Sequence, residues 1–257
     1  MAALLPPSPE DGMIDGQQSH PTIIPEKILT DLVGPHPTAA ASYMTTIVLT
    51  RHGHVEGIRP KRFRGREDLT LTQRGEAESR AVAEFIAAQW RPTKVYTSPL
   101  RRCVATGAVI AGACHVEAVV SYELNDLDYG SWQFKTYEEI EHADPQLFAE
   151  WFATPHLVRF PGGESLQDLV ARTADALRFV LKHHVDDTVV LVGHDSVNRA
   201  LLMQLLDQPL SSYWRLAQDP CCLNEIDVVR WSIHVRRINE TQHLREIKGG
   251  CVAPDRG

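Results

Sequence analysis

Short apolar strand patterns alternate with amphipathic helix patterns along most of the chain. The β-branched run Thr46–Thr50 ends directly in a polar loop, and residues 72–90 then repeat apolar side chains at helical spacing. A second strand pattern covers Lys94–Thr97 and also ends in a polar loop. A further helix pattern begins after Ser165, whose hydroxyl suits a helix N-cap, and leads to the fully apolar run Thr188–Val192.

This alternation predicts an α/β fold. Strands that are separated by helices form parallel pairs through crossover connections. We expect a three-layer α/β/α sandwich with a mostly parallel central sheet, which closes with antiparallel strands within residues 225–238. Residues 131–160, which we name the lid segment, carry several aromatic side chains in one or two short helix patterns. They predict a small helical cover.

The first 43 residues have a different character. Seven of the sixteen prolines lie before Ser42, and apolar periodicity is weak in this stretch. We expect residues 1–43 to be a mostly disordered extension and residues 44–257 to form the folded domain. A short helix at residues 26–33 and a mispredicted start codon both stay open.

Composition narrows the classes of protein. A chain of 257 residues with 43% hydrophobic and 23% charged residues can bury one substantial core and is typical of soluble globular proteins. Its net charge of −7 does not favour binding to nucleic acid or to an anionic membrane. The five cysteines form no C-x-x-C pair, which indicates reduced thiols, and no apolar run is long enough for a membrane span. We therefore expect a cytoplasmic protein.

Cations and imidazoles follow three of the predicted strands. Arg51 and His52 come directly after the first, Arg101 and Arg102 after the second, and His194 after the third. The carboxyl ends of parallel strands meet at one edge of a sheet, where ligands bind in open α/β folds. Guanidinium groups match the oxygens of a phosphoryl group, and an imidazole can attack its phosphorus. The pattern predicts a site for a phosphate ester.

The motif Arg51-His52-Gly53 resembles the signature of the histidine phosphatase superfamily, whose fold is like that of phosphoglycerate mutase. Four further segments, in the same order, resemble other segments of this family. They are Gly65-x-x-Asp68-x-Thr70-Leu71-Thr72-x-x-Gly75, Ser98-Pro99-Leu100-x-Arg102-x-x-x-Thr106, Gly162-Gly163-Glu164-Ser165 and Val192-Gly193-His194. One R-H-G motif is a weak signal, but ordered segments spread from Thr46 to about Leu244 are a strong one.

The resemblance implies a role for each matching residue. His52 would be the nucleophile that carries the phosphoryl group until water removes it. Arg51, Arg102 and His194 would bind the non-bridging oxygens and stabilise the transition state. The substrate would be a small phosphorylated metabolite. We expect no cofactor and no metal ion, because arginines beside His52 would repel a cation, although a metal-dependent hydrolase stays open as an alternative.

The usual proton donor of the family is replaced. Family members carry a glutamate in an L-x-E-x-x-x-G segment, and the equivalent stretch Leu124–Gly130 places Asp126 at that position. Aspartate can act as general acid and then as general base, although its shorter side chain must still reach the leaving oxygen. Glu123 and Asp128 stay open as alternative donors.

The loop after the nucleophile also departs from the family pattern. Ile58 stands where many members carry an asparagine that helps to hold phosphate, and His54 replaces the usual glutamate. His54 or Ser98 could supply the missing contact. The same loop carries several cations, which form either a solvated surface or a rim that steers an anionic substrate, with Arg62 as the candidate substrate ligand: Arg59, Lys61, Arg62, Arg64 and Arg66.

The lid segment favours a phosphatase over a mutase. Mutases of the superfamily carry a longer insertion here, whereas only about thirty residues separate Gly130 from Gly162. Protecting an intermediate for re-phosphorylation requires a larger cover against water. A phosphoglycerate mutase-type transferase and a non-catalytic phosphate-binding protein of the same fold stay open, as does a homodimer formed through an edge strand. The identity of the substrate also stays open.

Overall fold

The computed structural model describes residues 43–58, 60–230 and 232–249, and its centre is a six-stranded sheet. The predicted extension before Tyr43 and the loop cation Arg59 lie outside the described residues. The strands are β1 (Met44–Arg51), β2 (Lys94–Thr97), β3 (Ala118–Val120), β4 (Thr188–Gly193), β5 (Leu223–Val229) and β6 (Ser232–Glu240). Their order across the sheet is β3-β2-β4-β1-β5-β6.

Two kinds of strand pairing build this sheet. The four strands from β3 to β1 are parallel, whereas β5 pairs antiparallel with both β1 and β6. The central strands β1 and β4 are buried on both faces, as their apolar runs at residues 47–49 and 189–192 require. The predicted α/β fold with a mostly parallel sheet and a closing antiparallel pair is confirmed.

Seven α-helices are described in these ranges. They are α1 (Gln73–Gln89), α2 (Arg101–Cys114), α3 (Tyr137–Ala143), α4 (Pro145–Ala153), α5 (Leu166–His183), α6 (Asp195–Leu205) and α7 (Arg245–Gly249). Short 3₁₀ turns cover Tyr122–Leu124, Gly130–Trp132, Pro155–Leu157, Leu210–Arg215 and Gln242–Leu244. Within the described ranges, no helix combines the length and the apolarity that crossing a bilayer requires.

Side-chain hydroxyls begin the two long helices where the sequence predicts them. The Thr72 hydroxyl accepts a hydrogen bond from the N–H of Gly75 and caps α1. The Ser165 hydroxyl accepts from the N–H of Asp168, whose carboxylate accepts in return from the N–H of Ser165, so α5 begins with a complete capping box. These caps fix the ends of both helices against the sheet.

Alternate residues of the strands pack into two separate cores, one on each face of the sheet. Ile47 and Leu49 of β1 belong to the core that α5, α6 and the lid segment cover. Val48 belongs to the other core, which α1 and α2 cover. The sheet therefore lies between two helical layers.

The lid segment folds as two short helices whose aromatic residues are part of the first core. Phe63, from the loop after β1, stacks on Tyr137 with ring centroids 4.5 Å apart and contacts Trp132 edge-to-face at 4.9 Å. Trp151, in the second of these helices, belongs to the same core and is fully buried. The lid segment is thus fastened to the loop that follows the strand β1.

Candidate active site

The carboxyl ends of three adjacent parallel strands bring the predicted residues to one edge of the sheet. Arg51 pairs in register with Gly193, and Thr97 pairs with Val192. The strand β1 therefore ends with Arg51 at the same level at which the next residues, His52, Ser98 and His194, follow β1, β2 and β4. Arg102 comes from the first turn of α2, the helix that follows β2. We name Arg51, His52, Arg102 and His194 the strand-end cluster.

His52 is oriented by the backbone next to it. Its side chain is 1% exposed, and its Nδ1 lies 2.7 Å from the carbonyl oxygen of Gly53. Because a carbonyl oxygen only accepts, Nδ1 donates, and the lone pair of the neutral ring is left on Nε2. Burial, followed by the charges of Arg102 and Arg51, lowers the pKa of His52 well below its usual value. The ring is therefore neutral and carries a nucleophilic nitrogen.

The loop that carries His52 needs glycine at two positions. A side chain at Gly53 would collide with the carbonyl oxygen of Gly75, and one at Gly75 would collide with the backbone of His54. The N–H of Gly53 donates to the Thr106 hydroxyl at 3.2 Å. This close backbone packing explains why the R-H-G motif and the second glycine-containing segment occur together.

The two arginines of the cluster are buried and only partly hydrogen bonded. Nη1 of Arg51 donates to the carbonyl oxygen of Gln218 at 2.6 Å. Arg102 donates through Nη1 to the carbonyl of Glu67 at 2.5 Å and through Nη2 to that of Gly65 at 2.6 Å. Among the described residues, neither arginine has a partner for its buried Nε. Unpartnered buried donors of this kind fit the oxygens of an anion.

His194 contacts groups on both sides of its ring. Nε2 lies 2.8 Å from the Ser98 hydroxyl, and Nδ1 lies 3.3 Å from Oδ2 of Asp126. The rings of His194 and His52 are edge-to-face, with centroids 5.2 Å apart. Burial and the charges of Arg102 and Arg51 lower the pKa of His194 well below its usual value. Ser98 thus orients His194, and the two imidazole rings contact each other within the cluster.

Asp126, the predicted proton donor, reaches the cluster despite its short side chain. Its Oδ2 accepts from Nη2 of Arg102 at 3.0 Å, and the pair is buried on both sides. Burial raises the pKa of Asp126, and the nearby charge of Arg102 opposes part of that rise. A carboxyl group whose pKa is raised and that contacts the strand-end cluster is suited to act as a general acid.

The two alternative donors lie elsewhere. Glu123 is exposed and accepts a hydrogen bond from the Ser121 hydroxyl at 2.7 Å. Asp128 is ion paired with Arg66 at 3.2 Å and accepts from the N–H of Gly130 at 2.8 Å. Of the three candidate carboxyl groups, only that of Asp126 contacts the strand-end cluster.

The three described arginines of the cationic loop are engaged with the protein rather than open as a uniform rim. Arg62, the predicted substrate ligand, donates to the carbonyl oxygen of Phe134 at 2.8 Å, and its guanidinium lies over the Phe134 ring. Arg66 pairs with Asp128 and with Glu164. The structure therefore places the Arg62 guanidinium against the lid segment and brings Asp126, not Arg62, together with the cluster.

His54 and Ile58 occupy the positions at which the loop departs from the family. Nδ1 of His54 lies 3.0 Å from the Thr72 hydroxyl, at the N-cap of α1, and burial lowers its pKa. Ile58 lies in the turn before the residue that the structure leaves undescribed. Where the structure is described, no group of three or more His, Cys, Asp or Glu side chains is arranged to hold a metal ion.

Sequence reasoning missed two residues that directly follow His194. Asp195 forms an ion pair with Arg199 at 3.2 Å. Burial would raise the pKa of Asp195, but the guanidinium groups of Arg51 and Arg199 outweigh burial and lower the pKa below its usual range. Ser196 is fully buried and its hydroxyl donates to Oδ1 of Asp126. The sequence offered one signal for them, because both are polar residues that directly follow a strand-end histidine.

Comparison with known proteins decides the family. The family model of the histidine phosphatase superfamily (branch 1) matches residues 47–241 of this chain. The chain belongs to the histidine phosphatase superfamily. The match spans all four members of the strand-end cluster, together with Asp126 and the lid segment.

Proteins with a similar sequence include named phosphatases. A protein of Hydrogenobacter thermophilus named phosphoserine phosphatase 1 is 31% identical over 203 residues, which cover 79% of this chain and 96% of that protein. A metal-independent phosphoserine phosphatase of Arabidopsis thaliana is 31% identical over 166 residues, which cover 64% of this chain and 70% of that protein.

A solved structure shares the fold of this chain closely. YhfR of Bacillus stearothermophilus superposes with a TM-score of 0.74 at 27% identity, over 78% of this chain and 99% of that one. The mycobacterial glucosyl-3-phosphoglycerate phosphatase Rv2419c superposes with a TM-score of 0.70 at 22% identity, over 77% of this chain and 100% of that one, and shows likeness of fold.

Proposed function

We propose that this chain hydrolyses phosphate monoesters through a phosphohistidine formed on Nε2 of His52. The observation that carries the proposal is the contact between Nδ1 of His52 and the carbonyl oxygen of Gly53. That contact fixes the ring proton on Nδ1, so Nε2 keeps the lone pair that an attack on phosphorus requires. The lowered pKa of His52 supports the same assignment, since only the neutral ring can attack.

In the first half of the proposed reaction, Nε2 of His52 attacks phosphorus as the bond from phosphorus to the ester oxygen breaks. Arg51, Arg102 and His194 hold the non-bridging oxygens, and their fixed donors stabilise the charge of the transition state. Asp126 transfers its proton to the leaving oxygen, which departs as an alcohol. The products of this half are the alcohol, the phosphohistidine and the Asp126 carboxylate.

In the second half, a water molecule attacks the phosphorus of the phosphohistidine. The Asp126 carboxylate takes a proton from that water, and the bond between Nε2 and phosphorus breaks. Inorganic phosphate leaves, His52 regains its lone pair and Asp126 regains its proton. Neither half requires a metal ion or a cofactor, because guanidinium groups already supply the positive charge.

A small phosphorylated metabolite is the proposed substrate, and phosphoserine is the first to test. The similarity to phosphoserine phosphatases from a bacterium and a plant supports this choice. The Asp126 position supports an alkyl ester, because an alkoxide needs a proton in order to leave. A panel of phosphorylated metabolites then ranks phosphoserine against sugar phosphates and phosphoglycerates by kcat/KM.

Hydrolysis of p-nitrophenyl phosphate in the presence of EDTA tests the reaction class. We expect the wild type to turn over in EDTA, the His52→Ala variant to lose at least about 10³-fold in kcat, and an acid-labile phosphorylated intermediate to accumulate only when His52 is present. His234→Ala, which removes an exposed imidazole on the edge strand β6, is the matched control and should keep full activity.

Three other outcomes would replace the proposal. Loss of activity on chelation would indicate a metal-dependent hydrolase. Transfer of the phosphoryl group between positions of a phosphoglycerate, in place of phosphate release, would indicate a mutase. Phosphate binding without turnover of any ester would indicate a non-catalytic member of the superfamily.

A further inference from the structure

A serine hydroxyl outside the family motifs touches the proposed proton donor. Ser196 lies in the first turn of α6, two residues after His194, and is fully buried. Its Oγ donates to Oδ1 of Asp126, and the backbone N–H of Leu127 donates to the same oxygen at 2.8 Å. Two donors on one oxygen fix the rotation of the carboxyl group.

The second oxygen of Asp126 faces the strand-end cluster as a result. Oδ2 lies 3.0 Å from Nη2 of Arg102 and 3.3 Å from Nδ1 of His194. Both partners are proposed ligands of the non-bridging oxygens, so Oδ2 borders the proposed phosphoryl site. Oδ2 is therefore the atom that would carry the transferred proton.

The geometry points to Ser196 as a positioning residue that holds Asp126 in the orientation for proton donation and stabilises the carboxylate left after the proton has gone. This inference rests on the proposed function, because it needs Asp126 as the donor. Aspartate is one methylene shorter than the glutamate usual in the family, so its single reachable orientation has to be held. The Ser196 hydroxyl fixes this orientation from α6, the helix that begins beside His194.

The hydroxyl would contribute more in the transition state than in the ground state. As the proton moves from Oδ2 to the leaving oxygen, negative charge grows on the Asp126 carboxyl group. A hydrogen bond to a charged acceptor is stronger than one to a neutral acceptor. The interaction with Ser196 therefore strengthens during the reaction, which is the requirement for accelerating the chemical step.

Two substrates of similar size and different leaving groups test the inference. The p-nitrophenolate ion needs little protonation in order to leave, whereas the phenolate ion is a much stronger base and needs a proton donor. For Ser196→Ala we expect kcat/KM to fall about 10- to 100-fold with phenyl phosphate and less than about 3-fold with p-nitrophenyl phosphate. Ser196→Cys, which keeps the size but donates weakly, should show the same selective loss and serves if the alanine variant does not fold.

The pH profile supplies a readout that a merely structural role would not move. The Ser196 hydrogen bond favours the ionised form of Asp126 and so opposes the burial that raises its pKa. Its removal raises the pKa of Asp126 further, and the descending limb of kcat/KM should move to higher pH. Loss of activity without this movement contradicts the inference.

Thr46→Val is the matched control. Thr46 is a buried residue whose hydroxyl donates to Oδ1 of the buried Asp227 at 2.8 Å, near the opposite end of β1 from the cluster. This variant removes the same kind of hydrogen bond away from the site. We expect the ratio of kcat/KM for the two aryl phosphates to equal that of the wild type.

An Asp126→Asn background separates the inference from the proposed function. Without the donor, Ser196→Ala should cost nothing further with phenyl phosphate, since the two residues act as one unit. An equal loss with both substrates, or a full additional loss in the Asp126→Asn background, would overturn the role of Ser196. Failure of the wild type to hydrolyse p-nitrophenyl phosphate at all would overturn the proposed function instead.

Discussion

At the scale of single residues, the site shifts the pKa values of two carboxyl groups in opposite directions. Burial raises the pKa of Asp126, and the negative charge of Asp195 adds to that rise. The pKa of Asp195 is lowered because Arg51 and Arg199 outweigh its burial. Carboxyl groups whose environments push their pKa values apart can take different tasks, one as acid and one as fixed charge.

Replacing Asp195, the fixed charge, should therefore change the pKa of Asp126, the proposed donor. In Asp195→Asn the nearby negative charge is gone, so the pKa of Asp126 falls. A general acid works only while it holds its proton, and a lower pKa means that the proton is lost at lower pH. We expect the descending limb of the kcat/KM profile for phenyl phosphate to move to lower pH, opposite in direction to Ser196→Ala.

The control for this charge change is Asp175→Asn, on the exposed face of α5. Its side chain is 65% exposed and pairs only with the equally exposed Arg178 among the described residues. Solvent and salt screen such a charge from the site. An equal movement of the limb in both variants would show that Asp195 acts through net charge rather than through its position.

The sequence predicted the site residues that follow strand ends. It did not predict the residues whose role depends on side-chain packing. His52, Arg102 and His194 follow strand ends in recognisable motifs, so their meeting at one sheet edge could be predicted. The contacts of Ser196 and Asp195 depend on the direction in which α6 leaves the sheet and on which groups cross to meet it. No pattern along the chain records that direction.

At the scale of secondary structure elements, α5 holds the loop that carries Asp126. Arg172, in the middle of α5, donates to the carbonyl oxygens of Asn125 at 2.6 Å and Asp126 at 2.9 Å, and to that of Glu123 at 2.9 Å. Its Nε pairs with the Glu164 carboxylate at 3.0 Å. One guanidinium group thus joins the G-G-E-S segment to the backbone of the donor loop.

Replacing Arg172 should loosen this loop and destabilise the protein. Arg172→Met leaves three carbonyl oxygens and the Glu164 carboxylate with fewer donors, and we expect the free energy of unfolding to fall by about 2–4 kcal/mol. Urea unfolding measures this change. Phenyl phosphate hydrolysis should fall more than p-nitrophenyl phosphate hydrolysis, because the donor is displaced.

Arg172→Lys separates charge from geometry in the same position. A lysine keeps the positive charge but cannot reproduce the planar fork of donors. The lysine variant should keep part of the free energy of unfolding, but its activity should still fall more with phenyl phosphate than with p-nitrophenyl phosphate. Wild-type stability together with wild-type activity on phenyl phosphate would contradict the role assigned to the guanidinium group.

Periodicity and capping residues predicted the long elements better than the short ones. α1, α5 and the strands β1, β2 and β4 lie where the apolar pattern placed them, and α5 begins at the predicted Ser165 cap. β3 has only three residues, Ala118–Val120, with exposed ends on an outer strand, so it carries no alternation to detect. Its place in the sheet follows from pairing with β2, which is a tertiary contact.

At the scale of the whole molecule, burying two neutral imidazoles ties the stability of the fold to pH. The pKa values of His52 and His194 are both lowered by burial first and by the charge of Arg102 next. In the unfolded chain these histidines would titrate near their ordinary value of about 6.5. Below that pH the unfolded state binds more protons than the folded state, so acid favours unfolding.

We expect the free energy of unfolding to fall between pH 7 and pH 5. Each of the two histidines contributes up to about 1.4 kcal/mol per pH unit below its unfolded pKa. The raised pKa of Asp126 has the opposite sign, because protonation of a group whose pKa is raised in the folded state favours that state. Urea titrations followed by tryptophan fluorescence at both pH values measure the difference. A His52→Gln variant should lose less stability than the wild type, and an equal loss would contradict this account.

The contacts of Asp126 with Arg102 and His194 have a consequence for every anion that enters the site. The carboxyl group of Asp126 contacts the same partners that an incoming phosphoryl group would use. Entry of an anion is therefore an exchange, in which Asp126 gives up those partners. Affinity for phosphate-like inhibitors should consequently weaken as the pH rises and Asp126 loses its proton, because a carboxylate competes for these partners more strongly than a neutral carboxyl group does.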